Sequence, residues 1–340
     1  MAYQRVSTPR FYMDIGLFAR HHGIATFTNP AYEPFFKLNP TKSKSLTIGS
    51  IGFASFVMDL PIGWVNTLQY MAVLGHDFYS TPDFQFQIET RLDGGYDNNW
   101  METSAVNCSP DNPYFTADVN GYSLIRFNNP TAQNNQIVIN FTGAVGTVFN
   151  IGDVSAGWIY EMDHSPDLSL KLSYQNESVK TQTTLGGHSL SNSGWAEPPY
   201  WLNLPQWMTS DNTEGISNYK GMTPATRRQY DLSFSFLADT GMLNQYYPGG
   251  TGEQVGESVG QSGILTRSQT DTNPFVFTGM QDNFFSKCWM GSANGKLPFI
   301  FQPDKDVDEF AICKFDTDTF TLNQVANNVH NVSVSLTEVW

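Results

Sequence analysis

The sequence predicts an all-β protein, and three observations carry that expectation. Period-two alternation of apolar and polar residues recurs along the chain, helical periodicity is nearly absent, and glycine- and asparagine-rich turns separate the alternating runs. Many short strands divided by such turns fold into sandwiches or barrels. At 340 residues the chain is long enough for two domains with separate cores. The expected architecture is therefore two β-sandwich or barrel domains with one or two short helices. Residues 1–45 read as an extended N-terminal arm, 46–165 as a first β-domain and 166–340 as a second, with the boundary in Tyr160-Glu-Met-Asp-His-Ser-Pro-Asp167.

Taken in order, the first clear strand is Phe84-Gln-Phe-Gln-Ile-Glu89, followed by Ile137-Val-Ile-Asn-Phe141. Beyond the boundary come Leu168-Ser-Leu-Lys-Leu-Ser-Tyr174 and Leu232-Ser-Phe-Ser-Phe236. The last part reads as one β-run through Gly295–Asp304, Phe310–Phe315, Phe320–Val325 and Asn331–Trp340. In its final segment Val332, Val334 and Leu336 alternate with Ser333, Ser335 and Thr337, which places apolar side chains on one sheet face. A strand of that kind at the end of the sequence fits a compact module made to be stacked or docked. Turn signals are Asp93-Gly-Gly95, Asn128-Asn-Pro130 and Gly186-Gly187. The helix candidates are Thr278–Met290, with Met280, Phe284, Phe285 and Cys288 at three-to-four spacing, and Asp239–Tyr247. Three stretches read as long loops: 192–219, with Trp195, Trp201 and Trp207 beside prolines, the glycine-rich 248–263, and 93–113.

Composition narrows the function. Only 15% of residues are charged, against roughly 25% in typical soluble proteins, while 14% are aromatic. A charge-poor surface rich in Asn, Thr, Ser and Gln suits a protein covered by neighbours. The net charge is −14, which argues against direct binding to nucleic-acid phosphates. No apolar run approaches the roughly 18 residues of a membrane span, and Met1–Arg10 lacks the apolar core of a signal peptide, so no membrane insertion is expected and synthesis is expected in the cytoplasm. Cys108, Cys288 and Cys313 have no disulfide or zinc spacing, and Cys288 and Cys313 read as buried small residues.

Chemical motifs are sparse. The histidines His21, His22, His76, His164, His188 and His330 form no His-Glu-x-x-His site. His76-Asp77 and Asp163-His164-Ser165 hold triad residue types, but neighbours in extended chain point to opposite faces. Asp304, Asp306, Asp308 and Glu309 alternate like a calcium loop yet lack its glycine and its bidentate glutamate, and read as a solvated loop between strands. Glu161 and Asp163, beside Trp158 and Tyr160, are the nearest approach to a glycosidase carboxylate pair, in a poor place for one. The glycine-rich stretch 248–263 lacks the Lys-Ser/Thr of a phosphate cradle. No catalytic residue, metal or cofactor is expected.

The order of segments carries a resemblance. Tyr122-Ser-Leu-Ile-Arg-Phe-Asn-Asn-Pro130, Gln136-Ile-Val-Ile-Asn140 and Phe149-Asn-Ile-Gly-Asp-Val154 resemble the closing strands of a galactose-binding-like (discoidin-type) jelly roll, a domain that occurs in tailed-phage tail and baseplate proteins ahead of a second β-module. The succession Leu168–Tyr174, Val179–Gly187, Arg227–Leu237, Gly295–Asp304 and Val332–Trp340 is similar to phage minor tail or distal tail proteins related to the tail-tube fold. Their pattern is a basic pair leading into a strand, a helix, a strand containing Pro-Phe, and a last strand like Ser-Leu-Thr-Glu-Val. Arg5–Asp14 resembles the start of environmental-phage structural proteins. The likeness rests on patterning and is closest over residues 225–340. It implies a jelly-roll-like first domain and a tail-tube-like second one. Carbohydrate binding does not follow, because the sugar-gripping Arg, Asp and Trp constellation is missing.

The expected function is a non-enzymatic structural protein of a phage virion, forming a ring or part of the distal tail or baseplate with other tail proteins. Arg10, Phe11, Tyr12, Trp195, Tyr200, Trp201 and Trp207 are the expected subunit contacts, since Trp, Tyr and Arg dominate interface energetics. A carbohydrate- or receptor-binding module of the tail, recognising host-surface glycan, is the alternative. A capsid decoration or head-tail connector protein is the second.

Overall fold

The computed structural model describes residues 7–27, 29–38, 44–49, 53–60, 68–76, 85–91, 101–102, 115–116, 122–126, 136–142, 144–168, 171–176, 179–193, 226–238, 284–307, 309–326 and 329–339. It is an all-β structure. The strands in the first half are β1 (Arg10–Asp14), β2 (Thr26–Phe27), β3 (Lys44–Thr47), β4 (Phe53–Asp59), β5 (Tyr70–Leu74), β6 (Gln85–Arg91), β7 (Met101–Glu102), β8 (Phe115–Thr116), β9 (Tyr122–Arg126), β10 (Gln136–Thr142), β11 (Val148–Ile151) and β12 (Asp153–Glu161). Those in the second half are β13 (Lys171–Asn176), β14 (Val179–Thr183), β15 (Ser189–Ser193), β16 (Thr226–Ala238), β17 (Phe299–Gln302), β18 (Ala311–Phe315), β19 (Leu322–Ala326) and β20 (Val329–Glu338). Helix α1 (Ile15–His21), a 3₁₀ turn (Pro30–Phe35) and a π-helical turn (Phe285–Met290) complete the described elements.

A ten-stranded antiparallel sheet runs β13-β16-β20-β18-β17-β1-β12-β5-β9, with β19 added to β20. A six-stranded sheet runs β2-β4-β10-β6-β7, with β8 added to β6. One face of the large sheet packs on the smaller one. Phe11, Met13, Val154, Trp158, Phe299 and Leu336 from the first share an apolar cluster with Phe56, Met58, Ile137, Ile139 and Phe141 from the second. Phe18 of α1 and Phe284, Cys288 and Trp289 around the π-helical turn join it. The other face carries a smaller cluster of Tyr12, Tyr70, Ala72, Leu74, Ile300 and Ile312, with Leu38 and Phe310 packed on them. The central strands are thus buried on both sides.

The structure bears on four expectations. Residues 10–14 are not part of an extended arm: they form a strand flanked by β12, through Phe11↔Tyr160, and by β17, through Phe11↔Phe301. Nor does the large sheet divide at 160–167, because β12 and β13 on either side of that segment belong to it and one apolar cluster spans Phe11, Phe141, Trp158, Tyr230 and Leu336. The segment Leu168–Tyr174 enters its strand only at Lys171, leaving Leu168 93% exposed. Of the helix expected over 278–290, the described part is a π-helical turn with Phe284 and Cys288 facing the core. The candidate at 239–247 lies outside the described residues.

Local chemistry explains how α1 starts and stops. Asp14 accepts the Leu17 N–H at 2.8 Å and caps the helix. After His22, Gly23 takes φ +68, and Ile24 N–H returns to the Ala19 carbonyl at 2.8 Å, a left-handed helix end that glycine permits. Where β12 passes the β1–α1 junction, a Cβ on Gly157 would stand 1.8 Å from the Met13 carbonyl oxygen, so no side chain fits there.

Candidate functional site

The end of α1 delivers Arg20 and His21 to one side of the molecule. Arg20 is fixed there: Nη1 donates to the Phe36 carbonyl at 2.5 Å and Nη2 to Glu33 at 2.6 Å, which ties the helix to the 3₁₀ turn. The chain then turns back through Lys37, whose N–H donates to Asp153 at 3.1 Å, and through buried Leu38 at φ +50. From far along the sequence, Lys296-Leu297-Pro298 leads into β17. On β18, Cys313 pairs with Phe299, which puts Lys314 beside Pro298. Val339 is held close by its N–H to the Ile312 carbonyl at 2.7 Å.

These residues line an open pocket of about 490 Å³, within the size range of ligand sites, roughly 300–1,000 Å³. Its ionisable side chains are Arg20, His21, Lys37, Lys296 and Lys314, with no Asp or Glu. Leu17, Leu38, Leu297, Pro298 and Val339 supply apolar walls. In a chain of net charge −14 this is a local inversion of sign. Arg20 and Lys296 are paired to the outlying carboxylates Glu33 and Asp318, 48% and 81% exposed. Lys37 and Lys314 make no ion pair among the described residues. The arrangement suits a carboxylate or phosphate group with an apolar neighbour. Lysine acts here as a flexible point charge rather than a shaped fork.

The expected contact residues fare differently. Phe11 and Tyr12 are 0% exposed, with Phe11 among Phe284, Phe299 and Phe301 and the Tyr12 hydroxyl donating to Gln302 at 2.6 Å. Both side chains are spent on the chain's own sheet and offer no surface to a second copy. Arg10 stays partly exposed, donating to Glu161 at 2.7 Å and to the Lys305 carbonyl at 3.2 Å, on a second hollow of about 380 Å³ with Gln69, Arg126 and Asp163. Trp195, Tyr200, Trp201 and Trp207 lie outside the described residues, as do 194–219 and 248–263 of the two loops, while Asn192 and Ser193 close β15.

The groups weighed for chemistry are engaged structurally. Burial tends to raise the Glu161 pKa, but hydrogen bonds and charge from Lys305 and Arg10 outweigh it and leave the carboxyl below its usual value, unsuited to acting as a general acid. His164 Nδ1 donates to the Ser165 carbonyl at 2.7 Å. His76 and Ser123 hydrogen-bond at 2.9 Å, a pair the sequence did not announce, and both are buried away from either pocket. Among the described residues no group of three or more His, Cys, Asp or Glu could hold a metal ion, and no helix is long and apolar enough to cross a membrane. The basic pocket had no sequence signal, because its cations come from four separate segments.

No protein-family model matches the chain, and no curated protein or solved structure matches it significantly.

Proposed function

We propose that this protein is a non-enzymatic structural subunit that assembles with copies of itself into a ring, as in the distal tail or baseplate of a phage virion. The observation that supports it is the large sheet. Among the described residues its two outer strands, β9 and β13, each pair on one side only. An uncovered strand edge is a template for pairing with another chain. Two different edges at opposite ends of one sheet suit heterologous, head-to-tail contact, which closes into a ring when the rotation allows. The low charge content is in keeping with faces covered by neighbours. The phage assignment rests on the segment likeness over 225–340.

Native mass spectrometry with negative-stain imaging of the purified protein tests this reading. A closed ring, most tellingly of three or six copies, is the expected result; a protein that stays monomeric counts against self-assembly. Trp201→Ala is expected to leave the fold intact and abolish the oligomer, and unchanged assembly would remove that tryptophan from the contact.

A further inference from the structure

We infer that the basic pocket is a socket for the acidic turn 303–307 of a second copy of this chain, an inference that rests on the self-assembly proposed above, with this contact made end to end along the strands rather than edge to edge. The two features occupy opposite ends of one hairpin. Pro298 and Lys314 border the pocket where β17 begins and β18 ends, and the turn joins β17 to β18 at the far end. Pro298 and Asp304 are six positions apart in largely extended chain, about 20 Å. The hairpin therefore carries positive charge at one end and negative charge at the other. Copies placed head to tail along it bring unlike charges together, which steers association and fixes register.

The turn is held by its own hydrogen bonds and carries the complementary chemistry. The Asp306 N–H donates to Asp304 Oδ1 at 3.0 Å, the Val307 N–H donates to the Asp304 carbonyl at 3.1 Å, and Gln302 Nε2 donates to the Val307 carbonyl at 2.9 Å. Its conformation is thus fixed before docking, which lowers the entropy cost of binding. The one cation in it, Lys305, is already paired with Glu161 of the same copy at 2.8 Å. What remains on offer is the exposed Asp306 carboxylate, the half-buried Asp304 and Val307, which is 43% exposed. A carboxylate beside an aliphatic side chain matches a pocket in which Lys37 and Lys314 make no ion pair among the described residues and whose walls include Leu17, Leu38 and Leu297. Docking would also neutralise charge on copies that otherwise repel one another at net −14 each.

The test is charge reversal on the full chain, read by native mass spectrometry. K37E/K314E makes the socket acidic, and D306K makes the turn basic; all three positions are surface groups, so both variants are expected to keep the wild-type melting temperature. Each variant alone is expected to weaken assembly by about tenfold or more. The combined variant K37E/K314E/D306K is expected to assemble again at any ring order, because each reversed element then meets its complement on the next copy. If either single-element variant assembles like wild type, or the combined variant stays monomeric, the docking is overturned while the ring reading stands. Assembly indifferent to charge together with titratable binding of inorganic phosphate at the pocket assigns it instead to a small anion. A wild-type protein that never leaves the monomer overturns the ring reading and the docking with it.

Discussion

Arg228 and the lysines of the basic pocket are cations beside the same β18–β20 region, and they end in opposite conditions. Arg228 donates Nε and Nη2 to Glu338 at 3.1 and 2.9 Å, Nη1 to Glu309 at 2.8 Å and Nη2 also to the Phe310 carbonyl at 2.8 Å. Glu338 in turn accepts the Arg228 backbone N–H at 2.9 Å. With side chains 16% and 4% exposed, the Arg228–Glu338 pair is part of the packed interior. Lys314, which pairs with Thr337 on β20, faces the open pocket with no carboxylate partner among the described residues. A planar fork whose every arm finds an acceptor is a structural element. A flexible ammonium left beside apolar walls is free to meet something else.

The largest effect is expected on the paired side of that contrast. Glu338→Ala leaves the buried Arg228 guanidinium with only Glu309 and the Phe310 carbonyl as hydrogen-bond partners among the described residues and should lower stability by about 3 kcal/mol in urea unfolding. A loss below 1 kcal/mol would show that water reaches Arg228 and that the pair is not interior.

Asp14 adds a buried charge with incomplete satisfaction. Its carboxylate caps α1, but burial outweighs the hydrogen bonds to Leu17, Ser155 and Gly16 and raises its pKa from 3.8 to about 6. Since the folded state holds the proton more tightly than the unfolded chain, the stabilisation is full below pH 3.8 and is lost as pH rises through about 6. The loss from this group is about 3 kcal/mol between pH 4 and 7. Asp14→Asn keeps a capping oxygen and removes the titration. Relative to wild type, that variant should therefore gain stability as pH rises across this window, and parallel profiles would contradict the assignment.

The smallest effect belongs to the open side. Lys37→Ala and Lys314→Ala should each change monomer stability by less than about 0.5 kcal/mol, because neither ammonium has an ion-pair partner among the described residues. A thermal melt that falls by several degrees would mean that these lysines hold the fold, and the contrast with Arg228 would vanish.

How much was legible follows the same physics. β16 and β20 were readable because one face of each is apolar and the other largely polar: in β20, Val332, Val334 and Leu336 are buried and Ser333 is exposed, as the alternation requires. β1, β5 and β12 were not readable as strands. Tyr70–Leu74 is buried throughout, and Asp153–Glu161 nearly so, since both faces of the large sheet are covered there and alternation has nothing to report. For the same reason Arg10–Tyr12 looked like an available aromatic anchor. The N-terminal position suggested an arm, whereas pairing with β12 and β17 put Phe11 and Tyr12 in the centre.

By itself the sequence determined the all-β class, the positions of the half-buried strands, the turn at Gly187 with its φ of +80, and the burial of Cys288 and Cys313. These depend on local propensity and period, which are written in consecutive residues. Only the tertiary structure decided that segments on both sides of 160–167 share one sheet, and that Arg20, His21, Lys37, Lys296 and Lys314 surround one hollow. Strand order and the meeting of distant cations arise from pairings far apart in the chain, 290 positions between Tyr12 and Gln302 and 295 between Arg10 and Lys305, and no window of neighbouring residues contains them.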